Sequence, residues 1–280
     1  MIFFAAFEIN AQCDCMQAAA ASASAMVGGT PDIGVLPEGG FRAGAYYRYI
    51  EGGAEYSGDS DVLYEMTYYS KYVGISAAYG LSEDFTIEVE SGWFAESGDY
   101  GLGAYDRNGF SHIAVSSKYN IISAENNGIE WTAGAGAKLP LQDNEEFSYG
   151  YDLGVFSSYY GFVLHSYLQK KFEESGVRLF LISRYDFNFE DAKEGVKNRI
   201  NVYRNSLYIM KDFWRDMFAT AEFRSVVSKG TYFYISPQLG FRRGSFSVSG
   251  VVDIPLYEHS EDLQLDIETS FAVSLGWQPD

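Results

Sequence analysis

The stretch from Asp262 to Trp277 admits very few folds. Its odd positions run Leu263, Leu265, Ile267, Thr269, Phe271, Val273, Leu275 and Trp277, and its even positions run Asp262, Gln264, Asp266, Glu268, Ser270, Ala272, Ser274 and Gly276. A period of two held this long describes one strand with two unlike faces. Crossing roughly 30 Å of hydrocarbon takes about 9 to 11 tilted strand residues, so this strand has length to spare. The even face carries the carboxylates of Asp262, Asp266 and Glu268, which a membrane protein tolerates only where they meet water or charge partners. The pattern predicts an all-β fold: an antiparallel, up-and-down transmembrane β-barrel with a wet lumen.

Composition agrees. Aromatics make up 17 % of the chain, with 23 Tyr and 21 Phe, and 29 Gly stand against 6 Pro; this suits many strands, small-residue turns and aromatic girdles. No run of eighteen apolar residues occurs, which excludes a helical membrane protein. A mean hydropathy of −0.15 is what half-polar strands give. The net charge of −18 disfavours nucleic acid as a partner, because phosphate binding needs a basic stripe that the sequence lacks. The acids fall in predicted loops: Glu51, Glu55, Asp59, Asp61 and Glu65; Glu96, Asp99 and Asp106; Asp143, Glu145 and Glu146; Glu190, Asp191 and Glu194. Solvated loop surface is the plain reading. The sharper one has divalent cations bridging these loops to anionic lipid headgroups, although no spacing matches a dedicated calcium loop.

Residues 1–12 carry the apolar run Ile2, Phe3, Phe4, Ala5, Ala6 and Phe7 and then Ala11. They look like the tail of a secretory signal peptide cleaved near Ala11, without the usual preceding Lys or Arg. Cys13 and Cys15 are the only cysteines. Cys-Asp-Cys-Met offers soft ligands to copper(I) but lacks the further His or Cys that completes a site, and Asn10-Ala11-Gln12 is a poor lipidation signal. An unremarkable tail is the simpler reading, and no cofactor is expected. Residues 13–40 pass from Ala and Ser into a Gly- and Pro-containing stretch with no strand of membrane length. They read as a leader or as a partial plug in the barrel mouth, and the barrel itself is expected over 41–280.

Alternation places strands at Phe41–Ile50, Tyr68–Leu81, Phe85–Phe94, Phe110–Ile121 and Ile129–Leu139, the last ended by Pro140, which has no donor. Later strands are expected at Arg199–Met210, Arg215–Val227, Thr231–Arg242, Phe246–Leu256 and the final stretch. Residues 149–187 are ambiguous: Tyr149–Leu168 reads as one bent strand or two short ones, followed by Val177–Phe187. With both termini on one side the number must be even. Twelve is preferred and fourteen stays open.

Four stretches then combine: Tyr79-Gly80-Leu81-Ser82-Glu83-Asp84-Phe85-Thr86, Ala135-Gly136-Ala137-Lys138-Leu139-Pro140, Ile235-Ser236-Pro237-Gln238-Leu239 and Asp253-Ile254-Pro255-Leu256-Tyr257. Over residues 41–277 they resemble the family labelled "MetA-pathway of phenol degradation", outer-membrane barrels grouped with transporters of small hydrophobic compounds. The family has Gly where this chain has Gln238 and Leu141. The long aromatic-rich last strand likewise resembles the terminal strand of Gram-negative outer-membrane barrels, with Gln278, Pro279 and Asp280 following its aromatic residue. The resemblance implies an outer-membrane location and a transport function.

If the apolar faces meet lipid, the lumen-lining set is Arg42, Arg48, Glu88, Glu90, His112, Lys118, Glu130, Lys138, Glu222, Arg224, Arg242, Asp253, Asp266 and Glu268. Both signs are present, which fits a water-filled passage or a small lumen filled by ion pairs. A ring of about twelve strands lies between the filled eight-stranded case and open porins of about sixteen. The expected function is porin-like, passive passage of small, apolar or aromatic solutes, with outer-membrane lipid and the solute as partners. The alternative is a structural or surface-interaction barrel presenting acidic loops. An enzyme is not expected: among the histidines His112, His165 and His259, His165-Ser166 comes nearest to an outer-membrane lipase signature, and adjacent strand residues face opposite sides, so those two cannot pair directly. Oligomeric state is not legible.

Overall fold

A computed structural model of the chain describes residues 34–57, 61–99, 104–123, 128–141, 160–189, 201–227, 230–260 and 264–279. The alternating stretches form β1 (Phe41–Ser57), β2 (Asp61–Ser82), β3 (Phe85–Asp99), β4 (Ala104–Ile122), β5 (Ile129–Pro140) and β6 (Gly161–Phe172). They continue as β7 (Val177–Asn188), β8 (Val202–Trp214), β9 (Met217–Val227), β10 (Gly230–Arg243), β11 (Phe246–Ser260) and β12 (Gln264–Trp277). The twelve strands close into one barrel in chain order, each antiparallel to its neighbours, with β12 returning to β1 through a register from Ala43 opposite Trp277 to Tyr56 opposite Gln264. No helix occurs among the described residues.

One end of the barrel is closed by tight turns: Glu83-Asp84, Arg215-Asp216, Gly244-Ser245 and the four residues Glu173–Gly176. Gly244 at φ 54° and Gly176 at φ 65° take the left-handed backbone that such hairpins need and that side chains resist. β1 begins and β12 ends at this turn end, as an even strand number requires.

At the other end the strands outrun their apolar pattern. The acidic stretch 51–67, predicted as a loop, is largely hairpin: β1 and β2 stay paired to Ser57 and Asp61 through register shifts near Gly52 and Glu55. Backbone pairing needs no apolar side chain, so loss of alternation marks the end of the hydrocarbon and not the end of the strand. β3 and β4 likewise pair as far as Asp99 and Ala104. Glu96, expected on a loop, is therefore an inward-facing strand residue only 3 % exposed. Lys211–Trp214, predicted as a turn, belongs to β8, and the turn falls two residues later. The ambiguous region contributes β6 and β7. Residues 1–33, and with them the expected signal remnant, Cys13 and Cys15, lie outside the described residues, as do Asp59, Asp143, Glu145, Glu146, Glu190, Asp191 and Glu194.

The outer wall is apolar around the whole ring. Val73, Ile75, Val115, Leu164, Leu181, Leu207, Leu239, Val252 and Leu275 are all exposed. Aromatic residues flank this aliphatic belt at the turn end (Trp131, Trp214, Phe246, Trp277) and at the far end (Trp93, Phe110, Tyr160, Tyr203). A continuous greasy wall between two girdles is the surface a bilayer covers, and among the described residues no second sheet packs on it.

Leu207 lies between the girdle residues Tyr203 and Trp214 on β8. Leu207→Arg is expected to cost about 2–4 kcal/mol in equilibrium refolding into lipid vesicles, as lipid-facing charges do near the bilayer midplane. A soluble-type surface would show nearly none of that loss.

Candidate functional site: the barrel lumen

Period two sends the other parity inward. On β1 this puts Arg48 inside at 2 % exposure, with Arg42 half-buried near the turn end. Inward positions elsewhere hold Glu88 and Glu90 on β3, His112 and Lys118 on β4, Glu130 and Lys138 on β5, Glu222 and Arg224 on β9, Arg242 on β10 and Asp253 on β11. Asp266 and Glu268 lie on β12 where the side chains are outside the described residues.

Several of these charges meet at mid-height. Asp253 takes an ion pair from Arg48 and another from Arg224 at 3.1 Å, and it accepts from Ser270 Oγ at 2.8 Å. Arg224 also reaches Glu222 at 3.6 Å, while Glu222 accepts from Ser206 Oγ at 2.7 Å and from the Tyr208 hydroxyl at 2.8 Å. The Arg224 guanidinium lies 4.8 Å from the Tyr234 ring centroid. Groups held in this way satisfy the demand that buried charge be paired and hydrogen-bonded.

A second set spans the lumen. Arg184 on β7 donates to Glu90 on β3 at 2.6 Å and grips Asp186 at 3.0 Å, and Lys138 lies 3.8 Å from Asp186. His112 stands in the field of Lys138, Arg184 and Asp186. Lys118 pairs with Glu88 and sits 4.5 Å from the Tyr167 ring centroid. Arg42 lies level with Glu88 across β2, while Glu130 and Arg242 lie nearer the turn end: Gln169 donates to Glu130 at 2.6 Å, and the Arg242 guanidinium lies 5.4 Å from the Phe218 ring.

Sequence reasoning missed Arg184, Asp186 and Arg204. All three fall on β7 and β8, where both faces carry apolar residues and parity is hard to assign. The available signal was the spacing of Arg178, Arg184 and Asp186 on even positions against Leu179, Leu181, Tyr185 and Phe187 on odd ones. The inner face is also not uniformly polar, as the wet-lumen expectation had it. Phe180, Ile182, Tyr208, Met210 and Phe218 form a buried cluster inside the barrel, with Tyr167 packed against it. His165 is a buried inward residue, whereas its neighbour Ser166 accepts a hydrogen bond from Trp131 Nε1 at 3.0 Å on the outer wall; the two face opposite sides.

Residues 34–40 form a short strap across the turn end. The Leu36 amide donates to Thr86 Oγ1 at 2.7 Å, and Leu36 is 1 % exposed. The Gly39 amide donates to the Gly80 carbonyl and the Gly80 amide to the Gly40 carbonyl, both at 2.9 Å. A Cβ on Gly34 would collide with Glu130, and one on Gly80 with the carbonyls of Pro37 and Leu36. The strap thus runs over the inward residues of β2, β3 and β5.

No family model and no curated protein matches the chain, so the family resemblance rests on the quoted motifs alone. Among solved structures the chain is similar to an outer membrane channel from Pseudomonas putida F1 at TM-score 0.69 and 11 % identity, over 89 % of this chain and 98 % of that one. The KdgM porin superimposes at 0.49 and 11 % identity over 84 % and 98 % of the two chains. The CymD monoaromatic hydrocarbon channel does so at 0.44 and 8 % over 88 % and 89 %. At 11 % identity the likeness to the Pseudomonas putida channel is one of fold, that of an outer-membrane barrel.

Because Asp253 answers both Arg48 and Arg224, Asp253→Asn takes a shared charge partner from two buried cations. The expected loss is about 3–5 kcal/mol in urea-dependent refolding, the scale for breaking a buried pair from one side. Adding Arg48→Met to Asp253→Asn should recover part of it, and a further loss in the double variant would show that the two residues act independently.

Proposed function

We propose that this barrel gives small, apolar or aromatic solutes passive passage across the outer membrane through its lumen, lined by the charged set from Arg42 to Glu268 named above together with Arg184, Asp186 and Arg204. The observation that carries the reading is the inner face itself, where a charge-paired belt adjoins an apolar cluster around Phe180 and Phe218. Buried ion pairs can commonly be replaced by apolar side chains with no loss of stability. A barrel needed only as an anchor would have no use for so many, whereas charge on the wall keeps a passage wet and the apolar cluster offers a resting place for an apolar body. Likeness of fold to a protein described as an outer membrane channel supports the same reading.

In this reading the strap at residues 34–40 is a partial plug that narrows the turn-end mouth. The alternative, a barrel that displays acidic loops without transport, is disfavoured by Glu96, an acid that it needs outside and that points inward.

Reconstituted protein should swell liposomes in small uncharged solutes and give discrete single-channel steps; protein that is folded in the bilayer and passes nothing would refute passage. Gly80→Val, which puts side-chain atoms where the Pro37 and Leu36 carbonyls lie, should dislodge the strap and raise conductance severalfold while leaving the β1–β2 ladder intact. Unchanged conductance in that variant would refute the plug and leave passage standing.

A further inference from the structure

Arg204 is the exception in the paired belt. It is 2 % exposed, and among the described residues none of Nε, Nη1 and Nη2 has a hydrogen-bond partner. Directly across the β7–β8 ladder from it stands Arg184, and Arg224 lies one diagonal step away, opposite Ser206. Both of those cations are already answered, Arg184 by Glu90 and Asp186, Arg224 by Glu222 and Asp253. Arg204 is thus a buried guanidinium between two answered cations, with no acceptor of its own among the described residues. An unanswered buried cation is costly, and a planar guanidinium fork matches a carboxylate with two parallel hydrogen bonds.

The inward residues that follow Arg204 toward the turn end are Ser206, Tyr208 and Met210 on β8, flanked by Ile182 and Phe180 on β7. A hydroxyl and then a packed apolar cluster, at most 4 % exposed, thus succeed the cation.

Resting on the passage reading above, we propose that Arg204 is the anchor of a lumenal binding site for monocarboxylates with a small apolar or aromatic body. The carboxylate takes the free guanidinium fork, and the body enters the edge of the cluster by parting the packed side chains of Ile182, Phe180, Tyr208 and Met210. A bound carboxylate answers the Arg204 charge, and the pairs of Arg184 and Arg224 need not open to admit it.

The test uses the full chain folded in detergent micelles, with benzoate and its neutral near-isostere benzamide as probes in calorimetric titration. Wild type should bind benzoate about tenfold or more tightly than benzamide, the scale of hydrogen bonds to a charged group. Arg204→Gln should abolish that preference, and Arg204→Lys, which keeps the charge but not the fork, should retain part of it. Without benzoate, Arg204→Gln should refold at a higher denaturant midpoint than wild type, because an unanswered cation is gone; a purely structural Arg204 would give a lower one and overturn the proposal. Equal benzoate binding by wild type and Arg204→Gln, or displacement of benzoate by equimolar chloride, would also overturn it. Liposome swelling separates the two readings: a barrel that binds benzoate through Arg204 yet passes no solute keeps the site and refutes passage. One that passes solutes with no benzoate preference keeps passage and refutes the site.

Discussion

A backbone amide in hydrocarbon has no water to bond, so every strand must find a partner on each side. That constraint makes the ring. β12 meets β1 along a ladder from Trp277 to Gln264, and no strand edge is left facing lipid among the described residues. Once the ring is closed, side-chain placement follows from parity alone: apolar residues on one set of positions meet acyl chains, and everything polar must go inward, where it needs partners of its own.

The interior meets that second demand by reaching across. A twelve-stranded ring is wide enough that neighbouring walls do not fill it, so long side chains make the contacts that short ones cannot. Arg184 extends from β7 to Glu90 on β3, and Arg48 reaches Asp253 past an intervening strand. Aromatic side chains that do not cross lie flat against the wall instead. Tyr46 covers Gly74 and Tyr72 covers Gly92, where any Cβ would collide with the ring above. The lumen is thus neither a bare tube nor an apolar core, and its paired belt, apolar cluster and strap are three separate ways of occupying space.

The sequence showed most of the wall and less of what lies within it. β2, β5, β10, β11 and β12 were legible because each carries apolar residues on one parity and polar ones on the other, a contrast imposed by lipid on one side only. Beyond the bilayer that contrast vanishes, and the paired hairpins β1–β2 and β3–β4 read as loops although their ladders continue. β7 and β8 were hard for the opposite reason: Phe180, Ile182 and Met210 make the inner face as greasy as the outer one, which hid Arg184, Asp186 and Arg204. Ion pairing was not legible at all, since Arg184 and Glu90 are distant in the chain and meet only through curvature. The strap carries no periodicity, and its place depends on glycines at positions 34 and 80 whose neighbours only the closed ring supplies.

The seam between β1 and β12 has a consequence for how such a protein can be made. The first and last strands are each other's partners, so any chain lacking β12 presents two unpaired edges, on β1 and on β11, open to whatever strand comes near. Closing a loop that long is entropically slow and rewarded only at its end. Ring closure therefore waits for the last of its strands to be made, and everything made before it must be kept from pairing with the wrong neighbour until then.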